Sequence, residues 1–229
     1  MFKYEMHCHT SEVSRCAHVT AEEQVAFYKK IGYDGIVVTN HFLPGCVHDP
    51  EASWHEQVDS YLVGYRRALE EGKRVGLDVF FGWEYTDPAC PGTDLLTYGL
   101  PPEWLYDHPE LLRMPLSKYA NYIREQGAYV VHAHPLRQQN YIDMIRLMPD
   151  RVDAVEVFNA SMPDIFNERA ERYAAEYGLP RSCGSDNHMG ERVRRLAAFA
   201  IERRAESVHD LIDAIRNQSA SLELFTISK

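Results

Sequence analysis

The chain has 229 residues, 45% hydrophobic and 25% charged, which suits one globular domain with a sizeable core. Its net charge of −10 argues against a general nucleic-acid binder, which presents a basic face, but leaves room for a phosphorylated substrate held by local cations. Five scattered cysteines form no C-x-x-C pair, no apolar leader opens the chain, and no apolar run approaches the ~18 residues of a membrane span, so a reduced cytoplasmic protein without a membrane partner is expected.

Short apolar runs alternate with longer amphipathic ones. "KYEMHCH" reads as a first strand, and "TAEEQVAFYKKIG" as a helix with a Thr20–Glu23 capping box and Gly32 at its end. "DGIVVTNH" is a second strand, and "SWHEQVDSYLVGYRRALEEGKRVG" a long helix closed by Gly76. "LDVFFGWE" and "DLLTYGL" are strands, and the proline-rich stretch 101–115 is a loop with a helical turn. There follow helix "LSKYANYIREQG", strand "AYVVHAH", helix "NYIDMIRLM", strand "VDAVEVFNA", helix "DIFNERAERYAAEYG", strands "PRSCGSDNH" and "AAFAIE", helix "SVHDLIDAIRNQ" and a last strand "SLELFTI". Seven or eight such units imply a parallel α/β architecture, either a small or irregular barrel or an open doubly wound sheet. No glycine-rich phosphate loop follows the first strand, so the open sheet lacks its usual signature.

The polar residues fall at strand ends. His7 and His9 end the first strand, His41 the second and Glu84 the third, and Asp94 opens the fourth. His132 and His134 end "VVHAH", and Asp186 and His188 end "GSDNH". Residues i and i+2 of a strand point the same way, so each H-x-H or D-x-H pair aims both side chains together. In a barrel the C-terminal strand ends meet at one mouth, which gathers these residues into one cluster. Imidazole with carboxylate suits Zn, Mn or Fe better than Mg or Ca, and three such pairs exceed the needs of a single ion.

The pattern resembles the PHP (polymerase and histidinol phosphatase) family over nearly the whole chain. "MHCHT", "VVTNH", "VHAHP" and "GSDNH" are similar to its four motifs in order, and Glu84 in "GWEY" stands where its bridging glutamate is expected. The resemblance implies a distorted (β/α)7 barrel of the PHP type, formed by a single domain over residues 1–229. It also implies two to three divalent ions (Zn, Mn or Fe): a first held by His7, His9, Glu84 and Asp186, a second by Glu84 and His134, a third by His41 and His188. Where many members have T-D-H in the second motif, Asn40 replaces the aspartate, and lost orientation of the neighbouring ligands is expected rather than a lost ligand. In "SRCAHVT", Cys16 or His18 would supply a further ligand, with His18 favoured. Asp94 either ligates the second ion or caps its strand, His132 is a supporting or core residue, and Glu156 is a hydrogen-bonding residue of the cleft. His48, His55, His108 and His209 are expected at the surface, and Phe27, Tyr61 and Tyr65 in the core.

Such a centre fits a metal-dependent phosphoric ester hydrolase acting on a small phosphorylated metabolite through a metal-activated hydroxide. Asp186 and Glu84 would be its catalytic carboxylates, and Arg137 in "HPLRQQN" its phosphate-binding cation, with Arg192 and Arg194 as second choices. Alternatives are a histidinol-phosphate phosphatase, a non-catalytic metal-binding accessory domain, and a nucleic-acid phosphodiesterase, the last opposed by the charge. The sequence leaves the oligomeric state open.

Overall fold

The computed structural model describes residues 1–47, 49 and 51–227; the expectation for His48 lies outside them. The strands are β1 (Phe2–Cys8), β2 (Gly35–Val38), β3 (His41–Phe42), β4 (Asp78–Thr86), β5 (Asp94–Tyr98), β6 (Tyr129–Ala133), β7 (Ala154–Asn159), β8 (Arg181–Gly184), β9 (Arg195–Ile201) and β10 (Ser221–Thr226). The helices are α1 (Ala21–Lys30), α2 (Pro44–Val47), α3 (Trp54–Val75), α4 (Leu116–Glu125), α5 (Asp164–Tyr177) and α6 (Val208–Arg216).

The strands form a sheet in the order β10-β9-β1-β2-β4-β5-β6-β7-β8, with β3 pairing β4 beyond the end of β2. The sheet curls until β8 meets β1. There the segment after β8 bridges the end of β1, His9 N donating to Asn187 O (3.1 Å) and Asn187 N to His7 O (3.2 Å). The result is a nearly closed barrel, with β9 and β10 continuing antiparallel from β1. Tyr98 of β5 donates to Met6 O of β1, strands not adjacent in the sheet, so this bond crosses the interior. Met6, Tyr98 and Val131 share one core cluster with Leu211 and Ile215 of α6.

Local chemistry sets the element ends. The Thr20–Glu23 and Ser53–Glu56 capping boxes open α1 and α3, and Gly76 closes α3 in the left-handed region at φ 73°. Phe27 and Tyr61 are buried and Tyr65 packs partly buried beside them, as read from the helix stripes.

Two sequence expectations need correction. The barrel is not a strict run of parallel β/α units: β5 runs antiparallel to both β4 and β6, so a short connection without a helix joins β4 to β5. This reversal brings the start of β5, Asp94, to the same end as the finish of β4. Residues 140–148 form no helix; they are irregular, with Tyr141 and Met144 more than half exposed. Their apolar residues have the helical period, but Tyr141, Met144, Ile145 and Leu147 stay exposed, and short helices depend on burial of such a face. Among the described residues no helix is long and apolar enough to cross a membrane.

Candidate metal centre

The strand ends of the barrel converge on a cleft of about 600 Å³ whose wall includes His41, Asp94, Arg137, Asp186 and His188. Beneath it His7, His9, Glu84 and His134 are almost wholly buried. Glu84 lies at the centre. Its Oε1 is 3.1 Å from His134 Nε2 and 3.3 Å from His7 Nε2. Its Oε2 is 2.8 Å from His41 Nδ1 and 3.4 Å from His9 Nε2. Asp186 Oδ1 adds a second acceptor, 3.4 Å from His9 Nε2 and 3.2 Å from His188 Nδ1. Asp94 turns Oδ2 to His134 (3.7 Å) and accepts from Thr86 Oγ1 (2.7 Å) on its other oxygen.

Atoms in this centre lack protein partners. His7 Nε2 and His9 Nε2 are buried with no hydrogen bond, and His41 Nδ1 and Glu84 Oε2 meet at 2.8 Å without hydrogen-bond geometry, an arrangement costly for a protein without an ion. The opposite ring nitrogens of the first two are occupied: His7 Nδ1 pairs with Glu156 Oε1 (2.9 Å), and His9 Nδ1 with Ser14 Oγ (3.2 Å). These outer contacts fix the rings so that Nε2 faces inward, the arrangement that metal-ligating histidines show. Four groups of ligand atoms lie within 4.8 Å of one another: His9–His41–His188, His7–His9–Glu84, His7–His134–Asp186 and Glu84–Asp94–His134. The donor set therefore fits divalent metal ions.

The charges follow the same geometry. Burial alone would raise the Glu84 carboxyl, but the His7 and His41 rings override it and hold it well below the usual range. Asp186 is likewise held low against its burial by His7 and His188. His9 behaves oppositely: burial and the neighbouring His188 and His41 keep its ring neutral, the form in which imidazole ligates. Burial and the Glu84 charge raise the Asp94 carboxyl.

Backbone strain marks two of these positions. His134 (φ 28°) and Asp186 (φ 51°) lie in the left-handed region, uncommon for residues with side chains and concentrated at functional sites.

The structure thus brings together eight of the sequence-predicted residues: His7, His9, His41, Glu84, Asp94, His134, Asp186 and His188. Arg137 reaches the rim, its Nη1 3.9 Å from Asp186 Oδ2. His18 is not with them. Its backbone N–H bonds His188 O, and its exposed side chain turns to a separate groove beside Glu23 and Lys30. Cys16, the other residue considered in that loop, lines the cleft wall along with His41 and His188 but belongs to none of the four groups. Contacts with those two rings outweigh its burial and bring the thiol down to about 6. His132 points away into the core, its ring edge-on to Tyr173 of α5, and burial lowers it to about 3. Arg194 lines the cleft, whereas Arg192 Nη2 is tied to His18 O.

The expected loss of orientation at Asn40 does not occur. Its amide oxygen accepts from Thr10 N (2.8 Å) and Ser14 Oγ (3.0 Å), and Ser14 in turn holds His9, so an amide serves where an acceptor is needed. Sequence reasoning missed Ser14, and also Glu5, a buried carboxylate accepting from His7 N and Ser185 N (2.8 Å each). A glutamate inside the apolar run "FKYEMHC" was the signal for the latter.

An α/β barrel with a cluster of buried imidazoles and carboxylates at its strand ends defines the class. Residues 164–220, from α5 to the start of β10, match the family described as PHP-associated. A two-domain protein from Bacteroides vulgatus containing a predicted PHP-like metal-dependent phosphoesterase superposes with a TM-score of 0.72 at 18% identity. The alignment covers 97% of this chain and 64% of that one, so the chain spans less than two thirds of that protein's length. PsfC from Pseudomonas syringae gives a TM-score of 0.62 at 17% identity, over 99% of this chain and 92% of PsfC. An amidohydrolase from Chromobacterium violaceum, with bound sulfate and no metal, gives 0.57 at 16% identity, over 83% of this chain and 89% of that one. No curated protein sequence matches the chain. The chain has the fold of PHP-like proteins and carries a PHP-associated segment over residues 164–220.

Proposed function

We propose that the protein is a metal-dependent phosphoric ester hydrolase acting on a small phosphorylated molecule, with two to three divalent ions of Zn, Mn or Fe. The observation that carries this reading is the set of buried, unpartnered imidazole and carboxylate atoms on the floor of an open cleft, with the Arg137 guanidinium at its rim. His7, His9, Glu84 and Asp186 would hold one ion, His134 with Glu84 and Asp94 a second, and His41 with His188 a third. Bound there, the ions supply Lewis acidity that lowers the pKa of water and neutralises charge on phosphoryl oxygens.

The chain's own residues do the rest. Glu84 directs one oxygen toward His7 and His134 and the other toward His9 and His41, so a single carboxylate serves both halves of the centre. Glu156 and Ser14 keep His7 and His9 in the tautomer with Nε2 bare. Arg137 Nε is buried and unpartnered, and its Nη1 is too far from Asp186 for a hydrogen bond, so its donors are available to the non-reacting phosphoryl oxygens. The bound sulfate of the similarly folded amidohydrolase, a tetrahedral oxyanion, accords with such a ligand.

The test is a panel of phosphomonoesters, phosphodiesters, single-stranded DNA and amides, assayed with added Zn, Mn or Fe(II). Phosphomonoester turnover is expected, and Asp186→Asn should reduce kcat by roughly 10²-fold or more, the scale of removing one strong electrostatic stabiliser. Failure on every phosphate ester with ions bound, or full activity of the fully metal-loaded Asp186→Asn variant, would overturn the reading.

A further inference from the structure

We propose that Asn159 and Ser161 are positioning residues that tie His7, His134 and Asp186 into one jointly aimed group. The inference rests on the metal-dependent reading above and concerns what aims the ligands, not which ion they hold.

An irregular strand makes the arrangement possible. Glu156 and Asn159 are three residues apart and would face opposite sides of a regular strand. In β7 the pairing with β8 slips: Glu156 stands opposite Ser182 and Phe158 opposite Cys183, so β7 carries one extra residue there. Such a bulge re-aims the side chains beyond it, and Asn159 Nδ2 donates to Glu156 Oε2 (2.8 Å). Gly184 of β8 leaves the room, since a Cβ on it would lie 2.4 Å from His7 Cβ and 2.6 Å from Glu156 Oε1.

The Asn159 amide then reaches three ligands by two arms. Along the first, Glu156 Oε1 pairs with His7 Nδ1 (2.9 Å), and Glu156 Oε2 accepts from His134 N (3.0 Å). Along the second, Asn159 Oδ1 accepts from Ser161 N (2.9 Å), and Ser161 Oγ lies 2.7 Å from that oxygen and 3.1 Å from Asp186 Oδ2. A hydroxyl has one proton to give. The charged Asp186 carboxylate draws it more strongly than an amide oxygen that already holds the Ser161 N–H.

His7, His134 and Asp186 are the members of one of the four close groups of ligand atoms. Two of them, His134 and Asp186, have the left-handed backbone, which persists only where the surroundings over-determine it. Asn159 is itself fixed from outside the barrel: its N–H donates to Asn167 Oδ1 (3.0 Å), and its carbonyl accepts from Asn167 Nδ2 (3.1 Å) of α5. Both asparagines are buried, so this paired clamp relates the position of α5 to that of the ligands.

The experiment uses the full chain, stripped by chelator and titrated calorimetrically with Zn. Ser161 is exposed, so Ser161→Ala should leave the melting temperature of the stripped protein unchanged. It should weaken the binding of an ion by about tenfold or more, the scale of losing an outer contact to a metal ligand, and reduce the rise in melting temperature on adding Zn. Ser161→Thr keeps the hydroxyl and should bind Zn as the parent does. Asn159→Ala severs both arms and should weaken binding further than Ser161→Ala. In an Asp186→Ala background, Ser161→Ala should add less than about twofold, because the hydroxyl acts through that carboxylate. Parent-like binding by Ser161→Ala, or an equal loss with and without Asp186, would overturn the role of Ser161. Binding by Asn159→Ala no weaker than by Ser161→Ala would overturn that of Asn159. Either result leaves the metal-dependent reading intact, whereas a parent protein that binds none of Zn, Mn or Fe(II) would sink both.

Discussion

Arg137 illustrates what a single residue adds to a centre dominated by imidazoles. Its backbone N–H closes a turn on His134 O (2.9 Å), which places the guanidinium over the cleft three residues after a histidine in left-handed backbone. A chain of net charge −10 repels phosphate dianions at long range, so productive binding requires local cations. Removing a charged hydrogen bond of ~1.5–3 kcal/mol should raise KM about tenfold or more. We therefore expect Arg137→Ala to raise KM for a phosphomonoester by that factor and to weaken competitive inhibition by inorganic phosphate, with metal content unchanged. Equal phosphate inhibition of parent and variant would shift the role to Arg194, which lines the same cleft. At this scale the sequence was informative wherever a residue sat in a strand, because period two fixes the side to which a side chain points. It failed at Cys16 and His18, which lie in a loop whose path is set by a bond to His188, far along the chain.

Among the elements, α3 does more than cover the barrel. Gly64, in the middle of its 22 residues, faces Thr10 and Asn40, just past the ends of β1 and β2. A Cβ there would lie 2.2 Å from Thr10 Oγ1 and 2.9 Å from Asn40 Nδ2, while three residues earlier Tyr61 donates to Asn40 O (2.7 Å). The helix thus seats the Asn40–Ser14–His9 chain of hydrogen bonds. Gly64→Ala gains roughly 1 kcal/mol of helix propensity but forces overpacking that typically costs about 1–3 kcal/mol. Because the displaced groups support His9, the variant should melt up to a few degrees lower and bind metal about tenfold or more weakly. Calorimetry with and without metal, alongside a metal titration, checks both. A higher melting temperature with unaltered metal affinity would show that Thr10 yields without moving its neighbours. Helix α3 itself was legible from its capping box and terminal glycine; the reason for a glycine at its centre was not, since that lies in what it packs against. The stretch 140–148 failed for a related reason, its helical period finding no surface to bury against. The reversal of β5 was hidden as well, because a strand's composition does not record its direction.

The whole molecule depends on a thin seam. Where β8 meets β1 the backbone contributes one bridge, and the Glu5 side chain reinforces it, its Oε1 accepting from both His7 N and Ser185 N. The other oxygen accepts from Tyr28 Oη (2.8 Å) of α1, so one buried carboxylate joins both sides of the seam to the helix outside it. Glu5 stood out inside an apolar run, but its partner across the seam did not, since 172 residues separate the end of β1 from the start of β8. Burial raises the Glu5 carboxyl to about 7 despite these hydrogen bonds. A carboxyl raised on folding binds its proton more tightly in the native state. Its contribution to stability is therefore full below the ordinary value of 4.5, declines as pH rises, and is lost above about 7. At roughly 1.4 kcal/mol per unit, the span corresponds to about 3 kcal/mol. Glu5→Gln imitates the protonated form: its oxygen can accept the two backbone N–H groups while its amide donates to Tyr28. In chelator-treated protein, denaturant unfolding from pH 5 to pH 8 should show the variant gaining on the parent by about that amount as pH rises. Taking the difference between the two proteins cancels the other titrating groups of the centre, including Glu84 and Asp186, whose lowered values give the opposite slope at acid pH. A difference independent of pH across this range would mean that the seam is held by an ordinary carboxylate, and that closure of the barrel carries no proton linkage through Glu5.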